Sequence, residues 1–74
     1  MPPTPSVRGI KVVRALERAG FKIDRVKGSH HLMKHPDGRS VPVPVHNGKD
    51  IPKGTLRSIA IIAQMSVDEL IELL

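Results

Sequence analysis

Residues 40–46 read SVPVPVH, and the two prolines constrain the fold more than any other feature of the chain. Backbone N–H groups of a strand point alternately to its two sides, so Pro42 and Pro44 delete donors from the same side. That side cannot extend a ladder. The segment is therefore predicted to be an edge strand closed to further pairing, with Val41, Val43 and Val45 on one face that a helix can cover.

The neighbouring segments supply the rest of a sheet. Residues 30–35 (HHLMKH) form a second strand, joined to the proline strand through Pro36, Asp37, Gly38 and Arg39, where proline presets the first turn position and glycine accepts a positive φ. Residues 21–27 (FKIDRVK) alternate Phe21 and Ile23 with Lys22 and Asp24, a strand pattern broken by Gly28 and Ser29. Ser6 is positioned to cap a preceding helix. Its apolar positions are Ile10, Val13, Ala15, Leu16 and Ala19, with Arg8, Lys11, Arg14 and Arg18 on the other side and Gly20 as C-terminal cap. After the loop at Asn47-Gly48, Pro52-Lys53-Gly54-Thr55 opens a second helix. Leu56, Ile59, Ala60 and Ala63 give it an apolar face, and Ile61 and Ile62 imply burial on more than one side. Ser66 and Glu69 form a capping box, so residues 67–74 are a short third helix with Leu70, Leu73 and Leu74 apolar. The order is α-β-β-β-α with a short extra C-terminal helix. It predicts an α+β fold with a three-stranded antiparallel sheet and helices on one face, the layout of double-stranded-RNA-binding domains. Residues 1–5 (MPPTP) are expected to be an extended tail and residues 6–74 a single domain.

A chain of 74 residues is too short for a dinucleotide-binding fold or a barrel. With no cysteine, it has no disulfide, thiolate zinc site, iron–sulfur cluster or thiol nucleophile. The lack of cysteine, of an 18-residue apolar run and of a signal-peptide pattern leads to the expectation of a cytoplasmic protein that does not enter the membrane. Charge is polarised along the chain: residues 1–57 carry all twelve basic side chains against four acidic ones (+8), and residues 58–74 carry three acidic ones (−3). Such a basic body attracts polyanions, namely RNA, DNA or an acidic protein. Phe21 is the one aromatic residue, which argues against a platform that stacks single-stranded bases.

Gly28-Ser29-His30-His31 carries the strongest chemical signal. It lies where a turn enters a strand, with Arg25 and Lys27 before it and Lys34 after it. Histidine both accepts and donates a proton near neutral pH. Attack of an RNA 2′-hydroxyl on its own phosphate needs a base, an acid and a cation for the developing charge, and histidine with lysine or arginine supplies all three. Adjacent histidines in a strand point to opposite faces, so one of the pair is structural or merely exposed. A zinc site built from His30, His31, His35 and His46 lacks any established ligand spacing, and no GxSxG motif marks a hydrolytic triad. No metal or cofactor is expected. Lys49, Lys53 and Arg57 flank the start of the second helix, where free N–H groups favour a phosphate; ordinary solvated side chains are the competing reading. The basic stripe on the first helix admits the same two readings.

The run GSHHLMKHPDGRSVPVPVHNGKDIPKGTL, together with the helix end LERAGF, resembles the HicA toxins of prokaryotic HicA–HicB toxin–antitoxin systems. The shared features are the Gly-Ser-His strand entry, His35-Pro36-Asp37-Gly38-Arg39, the Val-Pro-Val strand and Lys53-Gly54-Thr55-Leu56-Arg57, and the likeness covers about residues 9–74. It implies a domain of the double-stranded-RNA-binding type acting as an mRNA interferase, with a histidine of the Gly-Ser-His segment needed for activity. His30 matches that position, and His31 stands one residue away as the second candidate. The resemblance also implies a HicB antitoxin that covers the active surface. Two positions depart from the family pattern: Gln64-Met65 where many relatives carry glycine, and Met33 where an aromatic residue is frequent.

These readings converge on a metal-independent endoribonuclease toxin. His30 or His31 would be general acid or base, and Lys27, Ser29, Lys34, Arg39, Lys49, Lys53 and Arg57 would contact RNA. The alternative is a non-catalytic module that binds duplex RNA by its A-form shape.

Overall fold

The computed structural model describes residues 7–74, and the expected tail and Ser6 lie outside them. The elements are β1 (Val7–Arg8), α1 (Gly9–Arg18), β2 (Lys22–Lys27), β3 (His30–Lys34), β4 (Ser40–Pro44), β5 (Asp50–Ile51), α2 (Lys53–Ile62) and α3 (Val67–Glu72). β2, β3 and β4 form an antiparallel sheet in that order, so the fold is the expected α+β arrangement. β4 is an edge strand. The backbone bonds His35 N–H to Arg39 O and Val45 N–H to Ser29 O fix its parity: odd-numbered residues from 39 to 45 face β3, and Pro42 and Pro44 turn their missing donors outward.

One face of the sheet is covered across β3 and β4, while on the same side of β2 Ile23 and Val26 remain 41% and 54% exposed. Met33, Val41 and Val43 are fully buried beneath the two long helices, where they meet Val12, Val13, Ala15 and Leu16 of α1 and Leu56, Ile59 and Ala60 of α2. Phe21, just before β2, closes the same core. The inward stripe of α1 runs through Gly9, Val12, Val13 and Leu16, spaced i, i+3, i+4, i+7. The stripe was expected to begin at Ile10, which is instead 42% exposed. The reason is steric: α1 starts against β4, and a Cβ on Gly9 would collide with Pro44 O and come within 2.9 Å of Val45 Cα. Only glycine lets the helix approach this closely, and that contact fixes which side of α1 faces in.

Two further expectations are corrected, and one pairing is new. Arg8, not Ser6, is the residue at the N-cap of α1, and its side chain makes no capping bond. The segment before α1 pairs with the segment before α2, Val7 opposite Ile51 and Arg8 opposite Asp50, and an Arg8 Nε–Asp50 Oδ1 ion pair of 3.0 Å reinforces it. Ile61 and Ile62 are 68% and 45% exposed rather than buried on a second side. The molecule is 17 Å thick across its Cα atoms, one sheet and one helix layer, so α2 has no neighbour on its outer side.

α3 begins with the expected capping box, Ser66 Oγ accepting from Glu69 N–H and Glu69 Oε1 accepting from Ser66 N–H, each at 3.0 Å. Between α2 and α3 the chain turns through Gln64 at φ +60°. This is the left-handed conformation that favours glycine.

Two substitutions test these backbone constraints by urea denaturation. Gly9→Ala is expected to destabilise the domain by about 1–3 kcal/mol through overpacking, although alanine is the better helix former. Gln64→Gly is expected to stabilise it by about 1 kcal/mol, because the left-handed strain disappears.

Candidate functional site

The turn between β2 and β3 is Gly28-Ser29, with Gly28 at φ +58° and open space around its missing side chain. Ser29 is half-buried, its carbonyl accepting the Val45 N–H at 2.6 Å, which pins the turn to the end of β4. His30 leaves this turn as the first residue of β3, opposite Lys27 on β2 and Pro44 on β4. It is exposed. Residues directly opposite in antiparallel strands share a face, so His30, Leu32 and Lys34 lie on the uncovered side of the sheet, and His31 and Met33 lie on the helix side.

The two adjacent histidines are thus in different surroundings. His31 is half-buried, next to Val43 and Val26, and its Nδ1 is sealed from solvent with no hydrogen-bond partner among the described residues. His35, one further pair along, packs edge-on against the Phe21 ring at 5.0 Å between centroids, and its Nδ1 accepts the Asp37 N–H at 3.1 Å. His46 is exposed in the loop after β4. The four do not converge, and among the described residues no three His, Asp or Glu side chains gather at metal-binding spacing.

The uncovered face is basic. β2 carries a bulge between Ile23 and Arg25, so Lys22 pairs with Lys34, Arg25 with Leu32 and Lys27 with His30. All three β2 cations therefore stand on the face of His30, together with Lys34. Asp24, at the bulge, is the acidic group among them, 3.5 Å from Arg25 Nε and 3.8 Å from Lys34 Nζ. Lys22 and Arg25 are absent from the sequence-derived site. Strict alternation groups Lys22 with Asp24 and Val26, and only the bulge brings it into line with Arg25 and Lys27. Lys27 is the cation directly opposite His30; Lys34, four residues along the strand, stands about 13 Å away.

Arg39 does not join this face. Its side chain is 21% exposed. The guanidinium lies 5.0 Å over the Phe21 ring, donates from Nε to Asp37 Oδ2 at 2.8 Å and donates from Nη1 to Ala63 O at the end of α2. Arg39 thus ties the β3–β4 turn to the far end of α2. Asp37 completes the clamp by accepting the Arg39 N–H at 3.0 Å. Its carboxyl is held below the usual carboxylate range, first by that backbone bond and then by the charge of Arg39. Lys49, Lys53 and Arg57 are exposed and belong to the helix layer, in the loop before β5 and the first turns of α2. The chain reaches them directly after the Val45–Ser29 contact, and the first turn of α2 holds no acidic residue to occupy its free N–H groups.

A three-stranded antiparallel sheet, two helices on one face and a cationic opposite face with an exposed histidine define a small basic domain of the double-stranded-RNA-binding type. Residues 9–65 match the family described as the HicA toxin of bacterial toxin–antitoxin systems, and the chain belongs to that family. It is thus the toxin of a toxin–antitoxin system. No curated protein matches the chain. Among the described residues no helix is long and apolar enough to cross a membrane.

The clamp generates a pH prediction. A carboxyl whose pKa is depressed on folding contributes stability above its unfolded value, 3.8, and loses that contribution as pH falls through the lower folded value. The difference in urea midpoint between wild type and Asp37→Asn is expected to be present at about pH 5 and to shrink as pH falls below 3.8.

Proposed function

We propose that this toxin is an endoribonuclease, an mRNA interferase that needs no metal ion, with His30 as its general acid or base. The carrying observation is the position of His30, exposed at the strand entry on the basic face and directly opposite Lys27. His31, turned to the helix side with one ring nitrogen sealed, is less available to a polymer. In the reaction the ribose 2′-hydroxyl loses its proton and its oxygen bonds to phosphorus. The bond from phosphorus to the 5′-oxygen breaks, that oxygen takes up a proton, and a 2′,3′-cyclic phosphate remains. An imidazole can carry either proton. Lys27 offsets the charge that builds on the phosphoryl oxygens; Lys34 is too far along β3 to touch the same phosphate.

The antitoxin, in this reading a HicB-type protein, neutralises the toxin by covering the same face and meeting its cations with acidic groups. Lys49, Lys53 and Arg57, exposed around a start of α2 that holds no acidic residue, favour the second reading, a module that binds duplex RNA without cutting it.

Incubating the partner-free protein with a structured mRNA in excess EDTA separates the two. Wild type is expected to cleave, His30→Ala to lose about 100- to 10,000-fold in rate while still binding RNA, and His31→Ala to stay close to wild type. Binding without cleavage by the wild type would leave the non-catalytic module. Loss confined to His31→Ala would move the reaction to the other histidine.

A further inference from the structure

We infer that the uncovered face of the sheet is a track for the sugar–phosphate backbone of an RNA strand, held at Lys22, Arg25 and Lys34, away from the bond cut beside His30. The inference rests on the reading of His30 as the reacting histidine, and it assigns a binding role to Lys22 and Arg25. Three observations carry it.

The first is the pairing. Lys22 and Lys34 are direct cross-strand partners, and like charges so placed oppose strand pairing. Asp24 is the acidic side chain that reaches this row, and its contacts go to Arg25 and Lys34 rather than to Lys22. A linear polyanion laid over the face relieves the repulsion that the fold retains.

The second is the bulge at Asp24, which rotates Lys22 into line with Arg25 and Lys27. The row spans about 16 Å along β2, ending at the cation opposite His30. The third is continuity. A polymer whose scissile phosphate lies between Lys27 and His30 must continue in some direction, and the cations of β2 and β3 extend from that point along the open face. An acidic protein that masks this face would meet the same cations, but a row that runs on from the reacting histidine is what the substrate strand itself requires. No tyrosine or tryptophan is present and Phe21 is buried, so the row offers charge to the backbone rather than a platform of large aromatic rings to the bases.

The test is the salt dependence of binding to a fluorescein-labelled oligouridylate with 2′-O-methyl sugars, which has no free 2′-hydroxyl to attack. Lys22→Gln/Arg25→Gln is compared with Lys11→Gln/Arg14→Gln, which removes equal charge from the exposed side of α1. The sheet pair is expected to make the slope of log affinity against log salt shallower by about 1.4, two contacts at about 0.7 each, and Lys22→Arg/Arg25→Lys to restore it. Equal slopes for wild type and the sheet pair overturn the track. An equal effect from the α1 pair, whether through net charge or through phosphate contact on that helix, leaves nothing particular to the sheet and also overturns it. Unchanged oligouridylate binding with loss of poly-glutamate binding reassigns the face to an acidic protein. Cleavage of unmodified RNA is measured separately, so failure of His30 as catalyst and failure of the track are distinguishable.

Discussion

Two short helices can cover one face of a three-stranded sheet and no more, and the rest of this molecule follows from which face they cover. Met33, Val41 and Val43 are the inward side chains that α1 and α2 bury completely, while Ile23 and Val26 on the same side of β2 stay 41% and 54% exposed at the margin of the helix layer. With the sheet and one helix layer accounting for the whole thickness, the other face stays in water and becomes the place where charge can accumulate. The apolar core therefore determines the site indirectly: His30, neighbouring His31 in the chain, is exposed because His31 and Met33 share the covered side.

Close backbone approach makes that coverage possible. α1 begins where Gly9 lies against β4, and β1 and β5 hold together the two segments that lead into the helices. At the opposite end Arg39 joins the β3–β4 turn, the Phe21 ring and the last carbonyl region of α2, and Arg18 Nη1 donates to Leu73 O at 2.6 Å to bring in the C-terminal segment. In a domain this small a few such ties supply what a larger core would otherwise provide. Arg39 shows why a basic residue cannot be assigned to a ligand from its sequence neighbourhood alone. The HPDGR turn places it near the sheet, but Asp37, Phe21 and a helix carbonyl use its guanidinium within the fold.

Much of this was legible in the residues. The prolines of β4 announced an edge strand, the Pro-Asp-Gly turn a hairpin and Ser66 with Glu69 a capping box, because each depends on local chemistry that a few neighbouring residues determine. The features that were not legible depend on contacts between distant segments. Val7–Arg8 and Asp50–Ile51 are too short to show a pattern and form strands only by finding each other. Ile10 looked inward by periodicity until the Gly9 contact set the rotation of α1, and Ile61 and Ile62 looked buried because the number of layers is not written in one helix. For the site, the Gly-Ser-His entry and its neighbours Arg25 and Lys27 were visible, but the place of Lys22 was not. A one-residue bulge inverts the parity of everything on one side of it, and the sequence KIDRVK carries no mark of where that inversion falls.

The prolines of β4 also bear on how the chain finds its native pairing. A slip of one residue against β3 would turn Pro42 and Pro44 toward their neighbour, where neither could donate, and would move Val41 and Val43 to the watery side at the same time. Both penalties strike together, so the folding search is relieved of half its nearby misregistered hairpins. The same two residues that stop a foreign strand from adding to the sheet also act as an internal check on alignment while the sheet is being made.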